Sequence, residues 1–247
     1  MKRQNLYILI ILTLNFLPTY GQQAKIYFDK VVSIVKFENS SSKLSLRLDS
    51  LKSKHMPSRS NFDNYLDRDL DFGYRHQRLN LEINFERFQI DILKKSDTVL
   101  VVSVNTENYK KLTFSQLDTP KVGIYLKERN KFYRSVKTAK MLVNEISKDE
   151  MFAFYCGDGS PKTDKGLEIE KLVENEQTNE ISEFLKSLNV ETQAFGVAGF
   201  EMLVRQGYAL PSDINKIIKH IKKRNSETII CSGCLAGLVE KLYDKKH

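Results

Sequence analysis

Leu79-Asn80-Leu81-Glu82-Ile83-Asn84-Phe85, then Phe88, Ile90 and Ile92, then Val99-Leu100-Val101-Val102-Ser103-Val104, is the stretch that decides the fold class. In its first part apolar and polar residues alternate with period two, the pattern of a strand with one buried face. The apolar phase then slips to Phe88, Ile90 and Ile92. A β-bulge at Glu86–Arg87 produces such a slip, and a turn is the alternative. Lys94-Lys95-Ser96-Asp97 reads as a turn, and the run from Val99 to Val104 as a strand buried on both faces. The expectation is an antiparallel hairpin at the centre of a β-rich half, residues 22–134.

Outward from this centre the pattern is less sharp. Val122 to Leu126 and Phe132-Tyr133, on either side of the polar Lys127 to Lys131, predict a second hairpin. Ile26 to Phe37 is rich in β-branched residues and suits either a strand or a short helix. Residues 39–77 are polar, with serines at Ser40-Ser41-Ser42, Ser58 and Ser60. They read as a loop, with Leu44, Leu46, Leu48 and Leu51 forming one short element inside it.

From Ser135 the period becomes helical, and residues 135–247 read as a helical domain. Val136, Ala139, Val143 and Ile146 lie on one stripe behind Ser135 as a possible N-cap. Leu167, Leu172 and Val173 mark a second helix, and Ile181, Phe184, Leu185 and Leu188 a third. Ala194, Val197, Ala198, Met202 and Leu203 follow Asn189 in a fourth. Pro211-Ser212-Asp213 opens a fifth, with Ile214, Ile217, Ile218 and Ile221 spaced i, i+3, i+4, i+7. Basic residues flank that stripe: Lys216, Lys219, Lys222, Lys223 and Arg224. The predicted class is α+β, a small antiparallel β-rich half followed by an all-α half.

The run from Glu183 to Leu203 (EFLKSLNVETQAFGVAGFEML) resembles a HEAT-like helical repeat unit over about residues 181–206. It has a leucine-ended first helix, a short polar turn and a second helix with small residues at Ala194, Ala198 and Gly199. The resemblance implies a compact helical tail and, at family level, protein binding. No 40-residue self-similarity surrounds it, so a long solenoid is not expected.

The chain has 247 residues, 39 Lys+Arg against 31 Asp+Glu, three Cys and no Trp. With 41% hydrophobic and 28% charged residues, it is neither a disordered chain nor a disulfide-dense miniature scaffold. Residues 1–21 read as a secretory signal peptide. Lys2 and Arg3 precede the apolar run Leu6 to Leu17, Pro18 breaks it, and Thr19 and Gly21 are small residues at a cleavage site. Removing 21 residues leaves 247 − 21 = 226, with net charge (39 − 2) − 31 = +6 and no integral span. The expected address is periplasmic or extracellular. There a basic chain meets acidic proteins or anionic envelope polymer rather than nucleic acid.

An oxidising destination also sets how the cysteines read. Cys231-Ser232-Gly233-Cys234, between the apolar Thr228-Ile229-Ile230 and a predicted helix from Leu235 to Tyr243, is locally similar to a thioredoxin active site. That likeness implies a thiol-active pair. Only 247 − 234 = 13 residues follow Cys234, too few for a thioredoxin fold. The reading is therefore structural: an oxidised cysteine, with Cys156 either the odd thiol or the partner of a long-range bridge to the C-terminal pair. A zinc site lacks an evident fourth ligand. Asp67, Asp69 and Asp71 invite a calcium reading, but Phe72 and Arg78 stand where an EF-hand loop needs Gly and Glu, so an exposed acidic loop is expected. Of His55, His76, His220 and His247, His220 lies among lysines and reads as solvated. No nucleophile, phosphate-loop or zinc-protease motif occurs, and no cofactor is implied. The functional expectation is an exported, non-enzymatic protein that binds another protein. The alternatives are thiol–disulfide activity at Cys231 and Cys234, and binding of anionic polymer through the fifth helix.

Overall fold

The computed structural model describes residues 20–54, 60–107 and 111–244. The expected leader lies outside these residues, except that Tyr20 and Gly21 open the first helix. His55, Ser58 and His247 lie outside them too.

Two helices come first, α1 (Tyr20–Phe37) and α2 (Ser41–Lys54). Five strands follow: β1 (Ser60–Asp69), β2 (Tyr74–Ile83), β3 (Glu86–Lys95), β4 (Thr98–Thr106) and β5 (Thr113–Leu117). They form one antiparallel sheet in sequence order. A helical region carries α3 (Thr119–Tyr133), α4 (Ala139–Ile146), α5 (Asp164–Glu174), α6 (Thr178–Leu185), α7 (Val190–Arg205) and α8 (Ser212–Arg224). The described chain closes on an antiparallel hairpin, β6 (Glu227–Ser232) and β7 (Leu235–Lys241). The class is α+β.

The phase slip after Phe85 is a turn and not a bulge at Glu86–Arg87. Ile83 pairs directly with Glu86, and Asn84 and Phe85 bridge them at φ 50° and 68°. Two consecutive residues at positive φ match the right-handed twist of a tight hairpin. The next turn is shorter than expected: β3 runs through Lys94 and Lys95, and Lys95 pairs with Thr98. The real irregularity lies between Leu93 and Lys94, where the register to β4 shifts. That shift lets β4 serve two cores. Val102 and Val104 face one with Leu79, Leu81, Ile90 and Ile92; Leu100 and Val101 face another with Leu93 and Tyr125.

Three sequence expectations give way. The segment read as a loop with one short element at Leu44 to Leu51 has α2 at that place, but it also holds β1 and the start of β2. Its serines cap a helix: Ser40, Ser41 and Ser42 all hydrogen-bond the Asp97 carboxylate in the β3–β4 turn. The expected second hairpin is α3. Asp118 caps it by accepting from the Lys121 amide, Pro120 sits in its first turn, and Val122, Tyr125, Leu126, Arg129 and Tyr133 are buried at helical spacing. The expected C-terminal helix is β7, held by β6 through pairs such as Ile229 with Val239. Of the two options for Ile26–Phe37, the helix forms. In α4 the cap is Thr138 rather than Ser135.

The sheet has unlike faces. Leu79, Leu81, Phe88 and Ile90 face α1 and α2, where Val31, Val35, Leu44 and Leu48 cover them. On the opposite face the cross-strand neighbours Arg78, Asp91 and Ser103 are buried beneath the C-terminal region. Within that region α6 and α7 touch at Gly196, where an added Cβ would lie 2.7 Å from the Leu185 backbone nitrogen. Only glycine permits that approach.

Candidate functional site

The polar face of the sheet carries a chain of hydrogen bonds linking strands to helices. Glu191, at the start of α7, takes two bonds from the Arg68 guanidinium and a third, of 2.9 Å, from the Ile229 amide. Arg68 donates Nε to His76 Nδ1 at 3.3 Å. His76 Nε2 meets Asp91 Oδ1 at 2.8 Å, and Arg78 Nε donates to the same oxygen at 2.7 Å. Arg78 reaches on to the carbonyls of Ile146 and Lys148. Gln89 bonds Asp91 Oδ2 and the Ser147 carbonyl, and the Ser103 and Ser147 hydroxyls meet at 2.6 Å.

This order of donors fixes the state of His76. Arg68 has only protons to give, so Nδ1 must accept and Nε2 must carry the hydrogen given to Asp91. The ring is neutral. Burial drives its pKa down and Arg68 adds to that, against the pull of Asp91. An imidazole–carboxylate pair suggests a general base, but both nitrogens of His76 are engaged and none is left to take a substrate proton. The Asp91 carboxyl is held low by His76 and Arg78 against the upward push of burial. Glu191 is likewise held low by Arg68 despite its burial.

Linkage turns this neutral ring into a pH dependence. His76 protonates near pH 6.5 when unfolded and lower when folded, so its stabilisation is whole above that pH and is lost as pH falls below it. As pH falls from 7 to 5 the protein should lose stability through this ring. Asp91 and Glu191, held low, contribute losses only as pH falls through the ordinary carboxylate range, below about pH 5. His76→Gln keeps an acceptor for Arg68 and a donor for Asp91, and should abolish the loss between pH 7 and 5. Urea midpoints at both pH values check the difference. Imidazole NMR showing His76 titrating near 6.5 in the folded protein would refute it.

A second cluster gathers on Asp71, which the β1–β2 connection, Asp71–Gly73, drives between α3 and α8. Its Oδ1 accepts from Arg224 NH1 at 2.6 Å, the Tyr133 hydroxyl at 2.9 Å and His220 Nε2 at 3.0 Å; Oδ2 accepts from Arg129 Nε at 3.1 Å. Burial alone would raise this carboxyl, but Arg224, the His220 bond and Arg129 together hold it well below the usual carboxylate range. Arg129 also caps the end of α6 by donating to the Lys186 and Ser187 carbonyls. Arg224 reaches Gln193 of α7 and Ser226. Phe72, at φ 62°, lies beside His220 and Phe132 with ring centroids 5.9 Å from each.

These contacts correct several sequence expectations. Asp67, Asp69 and Asp71 do not converge on a cation. Asp67 and Asp69 pair with Arg75, Asp67 also with Lys94, while Asp71 is buried. Among the described residues no group of three or more His, Cys, Asp or Glu could hold a metal ion. His220 is not a solvated member of a lysine face but a partner of Asp71 between two phenylalanines. The basic stripe is also split. Arg224 turns inward to Asp71 and Lys222 pairs with Glu201, leaving Lys216, Lys219 and Lys223 exposed. Both clusters were missed from sequence, because their members come from separate strands and helices far apart in the chain. Arginines at strand or helix positions, Arg68, Arg78, Arg129 and Arg224, were the available signal.

Cys156 is disulfide-bonded to Cys231 across 75 residues, with Cα atoms 5.5 Å apart. Cys234 is free and exposed. The C-x-x-C segment therefore sits on the turn of the β6–β7 hairpin and not at a helix N-terminus.

The buried clusters are fully occupied, and an accessible groove lies on the other side of the sheet. Ser33, Ile34 and Phe37 of α1 and Arg47, Ser50 and Leu51 of α2 line a groove of about 510 Å³. Phe37 is 79% exposed at its rim. Lys36 and Lys43 stand on the same two helices, and Arg47 lies 3.8 Å from Glu38. No described helix is long and apolar enough to cross a membrane. Comparison with family models, curated proteins and solved structures finds no match for the chain.

Proposed function

We propose that the protein is an exported, non-enzymatic module that binds another protein through the α1–α2 groove. The observation that carries this reading is Phe37, a large aromatic side chain left 79% exposed beside Ile34 and Leu51. Exposed aromatics at the rim of an apolar groove supply the anchoring energy of helix-in-groove recognition. Arg47 in the groove, with Lys36 and Lys43 nearby in sequence, favours a partner segment that flanks its apolar anchors with acidic residues. The HEAT-like character of α6 and α7 adds family-level support for protein binding. The leader pattern and an oxidised cysteine pair both suit an exported chain.

A photo-crosslinking residue placed at position 37 should yield one specific adduct in producing cells. The same residue at Val136, 87% exposed and away from the groove, should not. Phe37→Glu should then weaken binding of that partner at least about tenfold, the cost of losing one anchor. It should move folding stability by no more than about 0.5 kcal/mol. Equal labelling from positions 37 and 136, or no adduct from either, would remove the groove as the contact surface.

A further inference from the structure

All three cysteines meet at one end of the β6–β7 hairpin. Cys231 is the next-to-last residue of β6, and Ser232 pairs with Leu235 across a turn made by Gly233 and Cys234. The residue after Cys156 is tied to that same turn, since the Gly157 amide donates to the Gly233 carbonyl at 2.7 Å. Cys156 and Cys231 are each partly exposed, so their bridge is open to attack, and the free thiol of Cys234 is exposed two residues along the turn. A disulfide and a third thiol held on one turn are the complete set of reactants for thiol–disulfide exchange.

We propose that this turn is a thiol–disulfide exchange site in which Cys234 attacks Cys231 and releases Cys156. The Cys234 thiol loses its proton to solvent and its thiolate forms a bond to Cys231 Sγ. The Cys231–Cys156 bond breaks, and Cys156 leaves as a thiolate that takes up a proton. One disulfide exists before and after, so no external oxidant or reductant is consumed. The exchange replaces a bridge spanning 75 residues with one inside the turn. The segment around Cys156 then keeps only backbone ties to the hairpin, from Phe152 to Ile229 and from Gly157 to Gly233. This proposal is independent of the groove reading, which uses the other side of the sheet.

Disulfide mapping of the full-length protein tests it. Samples held at pH 6, 7 and 8 are acid-quenched, alkylated with N-ethylmaleimide and digested without reduction. The expected result is a single peptide with an internal Cys231–Cys234 bridge together with alkylated Cys156. Its rate of appearance should rise about tenfold per pH unit below the thiol pKa, because the thiolate is the nucleophile. Cys234→Ser should lose that product entirely. In Cys156→Ser, a glutathione redox buffer should close the Cys231–Cys234 bridge. Alkylation confined to Cys234 at every pH, a Cys156–Cys234 product instead, or a Cys156→Ser protein that keeps both thiols would each overturn the proposal. The wild-type mapping decides the matter even where the variant folds poorly.

Discussion

Asp71→Asn should destabilise the protein by about 3–5 kcal/mol, the cost of breaking a buried ion pair by removing one partner. The carboxylate is 2% exposed and collects four donors from two helices. An amide keeps the shape but removes the only negative charge between the guanidinium groups of Arg129 and Arg224, whose side chains are 1% and 7% exposed. Its NH₂ end would also face donors where the carboxylate accepted. The loss is a large fraction of a typical domain stability of about 5–15 kcal/mol, so a large drop in urea midpoint is expected. Replacing Arg129 alone should do less damage, since Arg224, Tyr133 and His220 still satisfy Asp71. An Asp71→Asn protein within about 1 kcal/mol of wild type would show that the cluster does not brace the sheet against the helices.

The second large effect concerns the long bridge. Opening Cys156–Cys231 frees a 75-residue loop in the unfolded chain, which the chain-entropy relation sets at about 4 kcal/mol of lost stability. The comparison belongs in the Cys234→Ser background, where no third thiol can rearrange. Oxidised and reduced forms of that protein should differ in urea midpoint, and the reduced form should show the steeper transition because its unfolded chain exposes more surface. Equal midpoints would mean that opening the bridge frees the unfolded chain by no more than closing it costs the native state.

What the sequence disclosed divides along physical lines. Period-two alternation at Leu79 to Ile83 and period-3.6 stripes at Ile181 to Leu185 and Ile214 to Ile221 were legible, since one buried face imposes its own repeat. The α3 segment was not, because Lys127 to Lys131 looked like a polar turn when three of its members, Lys127, Glu128 and Lys131, merely line the wet side of a helix. Residues 41–54 were read only as a short element of unassigned type inside a loop, for a related reason. Their serines satisfy a helix start through Asp97, a residue some 55 positions away, and no local pattern announces such a cap. Long-range ionic partners are invisible for the same reason. Arg68 and Glu191 look like ordinary surface charges until the fold sets them side by side, 123 residues apart in the chain. The long disulfide was legible as one of two options because cysteines are few and the expected oxidising address would restrict their fate.

The C-terminal hairpin closes onto the earliest strand: the Tyr65 hydroxyl bonds the Gly237 carbonyl, Ser226 bonds the Asp69 carbonyl, and Arg68 donates to the Glu227 carbonyl. During synthesis the five strands therefore emerge long before the residues that quiet their charged face. Arg68, His76, Arg78 and Asp91 must wait in water for α4, α7 and β6 to arrive. The first half can assemble α1, α2 and the apolar side of the sheet by itself, but its polar side stays open until α7 and β6 dock on it.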